Sequence, residues 1–216
     1  MGEDEKSTLN LIHIAAKAEF LKKGFQSACL RNIVKNAGVT TGAFYGYYGS
    51  KEELFKALVQ DVYEHIMSRY KESLDKFASL SIESQPEQMG KISRKSMEQQ
   101  LFYCYEHLDE LHLILQCSKG TRYAFMIDEL VELEVDATHK YYDVLNKLGS
   151  PVPNNDRRLE HILVTGMMNA FFEMIIHDMP LDSAKVYLQE LNDFYTAGWI
   201  KIMGQVKKRQ VQYLYA

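Results

Sequence analysis

The sequence predicts an all-α fold, and three observations carry that expectation. All four prolines, Pro86, Pro151, Pro153 and Pro180, fall at breaks between long proline-free stretches. Asn-Gly and Asp-Gly hairpin signals are absent, as are runs of alternating β-branched residues. Between the breaks, apolar residues recur at the three- and four-residue intervals that line one face of a helix. With 216 residues, 46% hydrophobic and 25% charged, the chain has enough apolar material for a core and the length of one large or two small domains.

Helices are expected over residues 7–23, 29–37, 41–47, 51–77, 87–107, 109–118, 122–148, 156–178 and 182–205. In the first, Ile12, Ala16 and Phe20 repeat every four residues; Gly24 stops it, and Phe25 can fold back onto its apolar face. Leu30, Ile33, Val34 and Ala37 make a short amphipathic second helix. Ala37-Gly38-Val39 is a tight turn, with Gly38 at the left-handed cap position and Val39 inserted into the core. Thr40 is placed to cap the third helix, and Ser50-x-x-Glu53 forms a capping box for the fourth. In the fourth, Leu54, Leu58, Val62 and Ile66 share a face. Later stripes run through Leu159, Ile162, Leu163, Met167, Ala170, Phe171 and Met174, and through Val186, Leu191, Phe194 and Ile202. Residues 79–86 and 149–155 are the most loop-like, and the basic residues Lys207 to Arg209 read as favourable charge at a helix C-terminus.

The third helix is a weak element in isolation. Gly42 and Gly46 each cost about 1 kcal/mol relative to alanine. That cost makes sense where the backbone and first turn must approach something closely, as the second helix of a helix-turn-helix approaches the major groove. Charge distribution agrees. The whole chain carries −4, but residues 6–51 hold seven basic residues against the single acid Glu19, a surplus of six that leaves ten net negative charges elsewhere. A polyanion binder needs such a local positive field. A separate acidic part does not oppose it beyond a Debye length of about 8 Å.

Residues 24–54 resemble the DNA-binding headpiece of the TetR (tetracycline-repressor-like) transcriptional regulators. The pattern is matched by Gly24, Phe25, Ile33, Ala37, Gly38, Val39, Thr40, Gly42, Tyr45, Tyr47, Tyr48, Lys51 and Leu54. Three positions depart from it: Cys29 stands for a capping Thr, Val34 for Ala and Tyr47 for a frequent His. The resemblance implies a three-helix helix-turn-helix headpiece, residues 1–50, followed by a helical effector-binding and dimerisation body, residues 51–216. It implies phosphate contacts from Thr40, Tyr45, Tyr47 and Lys51, and a groove-facing turn of Thr41, Gly42, Ala43 and Phe44. Lysine is unfavourable in the first turn of a helix, and a phosphate beside Lys51 would relieve that.

By the same resemblance, the body holds a small-molecule effector, with candidate lining residues Met97, Leu101, Tyr105, Leu108, Phe125, Glu129, Tyr141, Met167 and Phe171. The last two helices are expected to pair with a second copy through Gly166, Ala170, Phe194, Gly198 and Trp199. Gly166 and Gly198 support this from the residues themselves, since glycines inside helical patterns suit close helix approach. Arg94 and Arg122 are candidate partners for an anionic ligand, although solvated surface explains them as well.

The resulting expectation is a ligand-responsive repressor that binds a pseudo-palindromic operator as a homodimer. The alternatives are an α-helical carrier or enzyme with a vestigial helix-turn-helix, and a protein-interaction module. No nucleophile–base pair, phosphate loop or metal-helix motif supports an enzyme. No catalytic residue, cofactor or metal is expected. Cys104, His107, His112 and Cys117 lack paired metal-ligand spacing. A cytoplasmic location without a membrane partner is expected. The N-terminus is acidic where a secretory leader is basic, no apolar run approaches about 18 residues, and three cysteines make no disulfide framework.

Overall fold

The computed structural model describes residues 3–153 and 156–205, so Lys207 to Arg209 lie outside the described residues. Nine α-helices are described: α1 Glu3–Ser27, α2 Leu30–Asn36, α3 Thr41–Tyr45, α4 Lys51–Ala78, α5 Gln85–Glu106, α6 Leu108–His112, α7 Met126–Lys147, α8 Arg157–Ile176 and α9 Leu181–Ile202. A π-helical turn, Leu113–Cys117, and a 3-10 turn, Arg122–Phe125, join α6 to α7. No strand occurs among the described residues. The helix expected over 109–118 is thus half π-helix.

Internal contacts divide the chain into two compact units that each draw on two stretches of sequence. One comprises residues 1–68 and 103–126, the other 69–102 and 127–216. The boundary expected from the sequence lies at residue 50; by packing, the first unit also takes in the start of α4, the end of α5, α6 and both turns.

In the first unit, α1 buries Ile12, Ala15, Ala16 and Phe20, α2 buries Ile33 and Val34, α3 buries Phe44 and α4 buries Leu54, Phe55 and Leu58, with α1 packed on α2. Phe20, Phe25 and Phe55 form an aromatic cluster with ring centroids 5.1 to 6.0 Å apart, so Phe25 does turn back onto the core. Gly24 permits this turn. Its φ of 71° and ψ of 162° lie in a region open essentially to glycine alone, and the helical run to Ser27 is kinked there. α1 also packs against the π-helical turn, where Leu113, Ile114 and Cys117 are buried. Lys17 pairs with Glu110 and lies 3.8 Å from Asp109. Arg122 sits over the Tyr63 ring at 5.0 Å and donates to its hydroxyl at 3.2 Å, an internal role rather than a ligand contact.

In the second unit, α7 buries Leu130, Val131, Val135, Tyr141, Tyr142 and Leu145, and α8 buries Val164, Met168, Phe171, Phe172 and Ile175. Arg94, the other candidate for an anionic ligand, instead pairs with Asp193. By length and mean hydropathy α8 is apolar enough to cross a membrane. One face of it, with Val164, Met168, Phe171, Phe172 and Ile175, is buried together with Glu160, 2.8 Å from His139 of α7, while Leu159 and Ile162 are exposed.

Candidate functional site

The third helix is held at both ends by bonds legible in the sequence. Thr40 Oγ1 accepts from the Ala43 N–H at 3.1 Å, the N-cap bond. Gly38 has a φ of +68°, which lets α2 end and α3 start within four residues. Ser50 Oγ accepts from the Glu53 N–H at 3.1 Å, while Glu53 Oε2 reaches back to the Gly49 N–H at 2.7 Å, one residue before the partner a standard capping box uses. α3 is therefore pinned despite its two glycines.

Its outward surface is formed by Thr40, Thr41, Gly42 and Tyr45, all exposed, with Ala43 and Tyr47 half-buried. Phe44 corrects the expectation of a groove-facing role. It is 0% exposed, with its ring 5.5 Å from Tyr45 and 6.0 Å from Tyr48, so it anchors α3 to the core. Tyr48 is half-buried and bonded through its hydroxyl to His13 Nε2 at 2.5 Å. Burial, and then Lys17, lower the His13 pKa, so this imidazole is neutral near pH 7.

Lys51 is the second correction. Its ammonium donates to the carbonyls of Phe25, Gln26 and Ala28 at 2.6, 3.3 and 2.9 Å and lies 4.6 Å over the Phe25 ring. These carbonyls belong to the end of α1 and the start of the next turn, where a cation is favoured. A lysine that disfavours its own helix's first turn is thus explained by the C-terminus of another helix, without a phosphate.

Charge pairing identifies the cations the motif did not single out. Lys17 and Lys23 are bound to Glu110 and Glu19, and Lys51 to carbonyls. Arg31 and Lys35, both exposed on α2, make no ion pair among the described residues. They belonged to the basic surplus, but a count of charge does not show which charges are already neutralised.

Glu19, the lone acid of this region, has a structural task. Its Oε1 accepts from Lys23 Nζ at 2.8 Å, the Cys29 N–H at 3.2 Å and Asn32 Nδ2 at 3.2 Å. Cys29 offers α2 no side-chain cap, and the carboxylate of Glu19 caps it from α1 instead. These donors, Lys23 foremost and then the Cys29 N–H, lower the Glu19 pKa from 4.5 to about 2. Because the folded value lies below the unfolded one, the stabilisation is complete above about pH 4.5 and fades as pH falls towards 2. Glu19→Gln is expected to lower the melting temperature at pH 7, with the gap to the parent narrowing between pH 5 and 3. Melting curves over that range check it, and a pH-independent gap would contradict the assignment.

In the second unit, a cavity of about 130 Å³ is lined by residues of α4, α5, α7, α8 and α9. Met97, Tyr141, Met167 and Phe171 of the expected effector set line it. Leu101 and Glu129 of that set do not, and Tyr105, Leu108 and Phe125 belong to the other unit. Leu101 is plain core and Phe125 is 59% exposed. Sequence reasoning missed Tyr70, Glu134 and Asn192 on the lining. One signal was available for Glu134. It is a carboxylate within the apolar stripe Leu130, Val131, Val135, Thr138 and Tyr141 of α7.

Comparison with known proteins bears on the first of these sites. Residues 12–58 match the family described as Bacterial regulatory proteins, tetR family. That span contains α2, α3, the turn between them and most of α1's buried face. Over those residues the chain is similar to that family. Over 69 residues the chain is 30% identical to the HTH-type transcriptional repressor KstR2 of Mycobacterium tuberculosis, covering 32% of this chain and 34% of that protein. Over 52 residues it is 42% identical to the uncharacterized HTH-type transcriptional regulator YdgC of Bacillus subtilis, covering 24% and 27%. The chain thus spans about a third of the length of the curated relatives it matches. A crystal structure of a transcriptional regulator from Aquifex aeolicus VF5 superposes with a TM-score of 0.55 at 20% identity, covering 88% of this chain and 98% of that one. The all-α fold, a helix-turn-helix headpiece followed by a helical body, is the one that structure shares.

Beyond the TetR-type headpiece, the expected pairing residues fall in two groups. Phe194 is 70% exposed, and a Cβ at Gly198 would meet no atom within 4 Å. Ala170 is half-buried. Gly166 is approached by the Tyr195 hydroxyl, 3.3 Å from where a Cβ would stand, so packing within the chain already explains that glycine. Trp199 lines the cavity and packs on the cluster of Tyr141, Tyr142, Leu145 and Met203. Cys104 is buried, which pushes its thiol up to about 12, and burial raises Cys117 as well, so neither is an activated thiolate at neutral pH. Among the described residues no group of three or more His, Cys, Asp or Glu is placed to hold a metal ion.

Proposed function

We propose that the chain is a cytoplasmic, ligand-responsive transcriptional repressor that binds a pseudo-palindromic DNA operator as a homodimer. The observation that carries this reading is the exposed face of α3: Thr40, Thr41, Gly42 and Tyr45 are presented outward by a helix pinned at both ends and anchored through Phe44. Helix N-terminal N–H groups and hydroxyls suit phosphate, and a small Gly42 admits close backbone approach. Thr40, Tyr45 and Tyr47 are assigned to phosphate, Thr41, Gly42 and Ala43 to base edges, and Arg31 and Lys35 to the surrounding field.

The exposed apolar residues of α8 and α9 support pairing with a second copy. Leu159, Ile162, Val186, Tyr187 and Phe194 are 44 to 70% exposed. A two-fold dimer presents two recognition helices to half-sites about one helical turn apart. The cavity supports an effector role, because a ligand favouring one dimer geometry shifts the population able to bind DNA. Moving that population from nearly all bound to nearly all free needs about 5.5 kcal/mol of differential affinity.

Binding-site selection tests the assignment. Thr41→Ala is expected to change base preference at one or two operator positions while leaving binding to arbitrary duplex unchanged. A selection profile identical to that of the parent would remove Thr41 from the groove.

A further inference from the structure

The lining of the second unit's cavity is strongly biased in its chemistry. Among the described lining residues there is no Lys, Arg or His, and Glu134 is the one carboxylate. Glu134 Oε2 accepts from the Tyr70 hydroxyl at 2.6 Å, and no cation of the described residues lies within ion-pair distance. Burial raises its pKa, with the Tyr70 bond a smaller opposing influence. A second polar group is also left open: Asn192 is 5% exposed, its Oδ1 accepts from Thr196 Oγ1 at 3.2 Å, and its Nδ2 has no partner. The other prominent feature is aromatic. Tyr70, Phe77, Tyr141, Phe171, Tyr195 and Trp199 all face the space.

We infer that this cavity binds an apolar molecule carrying a protonated amine, with Glu134 as its counter-ion and the Asn192 amide donating to a hydrogen-bond acceptor elsewhere on the ligand. The inference rests on the effector reading of the same cavity and adds the chemical class. A half-buried carboxylate facing an aromatic cavity with no cation beside it is unfavourably placed, and a ligand ammonium supplies the missing charge. Aromatic faces attract a cation and repel an anion. An anionic ligand would meet no basic group and would face a carboxyl group. A purely apolar one would leave both Glu134 and the Asn192 amide unanswered. Each water needs about 10–15 Å³ of such space, so about 130 Å³ holds roughly ten water-sized groups, the scale of a small aryl-alkyl amine.

The test is calorimetric titration of the full chain with three probes of one shape: 4-phenylbutylamine, 4-phenylbutanol and 4-phenylbutyrate. The amine is expected to bind at least tenfold more tightly than the alcohol, and the acid more weakly than either. Glu134→Gln is expected to erase the preference for the amine while leaving the alcohol's affinity within about twofold. Tyr70→Phe, which keeps the carboxylate, is expected to retain the preference. Equal binding of amine and alcohol, a preference that survives Glu134→Gln, or no binding of the amine would each overturn the proposal. The effector reading is scored separately, by release of captured genomic DNA on adding the amine. Tight amine binding without release keeps the ligand class and removes the effector role. Release by the alcohol or the acid without an amine preference does the reverse.

Discussion

Phe44→Ala is expected to destabilise the N-terminal unit by about 3–5 kcal/mol, the usual cost of emptying a fully buried phenylalanine site. The effect should be this large because α3 has little else to hold it. It is five residues long, too short to be stable alone, and Phe44 is its one buried residue. The Thr40 cap bond contributes only about 1 kcal/mol. Loss of the anchor therefore frees the recognition helix, and DNA binding should fall together with stability. Urea unfolding followed by circular dichroism, with hydrogen exchange resolved to residues 41–48, separates this from a direct role. A variant with normal melting but altered base preference would put the ring back in the groove. Phe44→Leu, which retains most of the buried area, should recover much of the loss.

Replacing Arg31 and Lys35 together by alanine should weaken binding to every sequence alike. Neither side chain is engaged in an ion pair among the described residues, so both charges are available to phosphates. Each phosphate contact contributes about 0.9 to the slope of log K against log salt. Two contacts per headpiece, doubled in a two-fold dimer, should flatten that slope by about 3.6, on the order of a thousandfold in affinity at 0.1 M salt. Stability should change little, since both side chains are exposed. Fluorescence anisotropy of a labelled duplex across a salt series checks it, and an unchanged slope would remove both residues from the interface. Lys51→Met makes the contrast: its three carbonyl partners predict lost stability with little change in slope.

The parts of this account that were legible from sequence share a physical feature: the cause lies within a few residues of the effect. The Thr40 cap, the Gly38 turn and the Ser50–Glu53 pair each involve groups no more than four residues apart; the first two form as read, and the third forms with its return bond shifted to the Gly49 N–H. What was not legible depends on distant partners. Lys51 reads as a phosphate ligand until the end of α1, 23 to 26 residues away, is brought to its ammonium. In a helix as short as α3, periodicity cannot decide between Phe44 and Tyr45, and burial assigns the first to the core and leaves the second 55% exposed. The cavity was half found for a related reason. An apolar stripe at helical spacing looks the same whether it packs against a neighbour or faces a void, which is why Leu101 and Met97 could not be told apart. Glu134 was the exception available to a reader of the sequence, a charge where α7 should have been apolar.

The central claim is that the exposed turn of α3 is built to enter double-stranded DNA. Its most direct test is capture of genomic fragments by the full chain at about 50 mM salt, followed by footprinting of the fragments retained. The account predicts a protected pseudo-palindrome whose half-sites are centred about one helical turn, or a multiple of it, apart. It also predicts that competing salt abolishes binding with a steep linear log–log dependence. Failure to retain any duplex at that salt, or retention that is insensitive to salt and leaves no footprint, would contradict it.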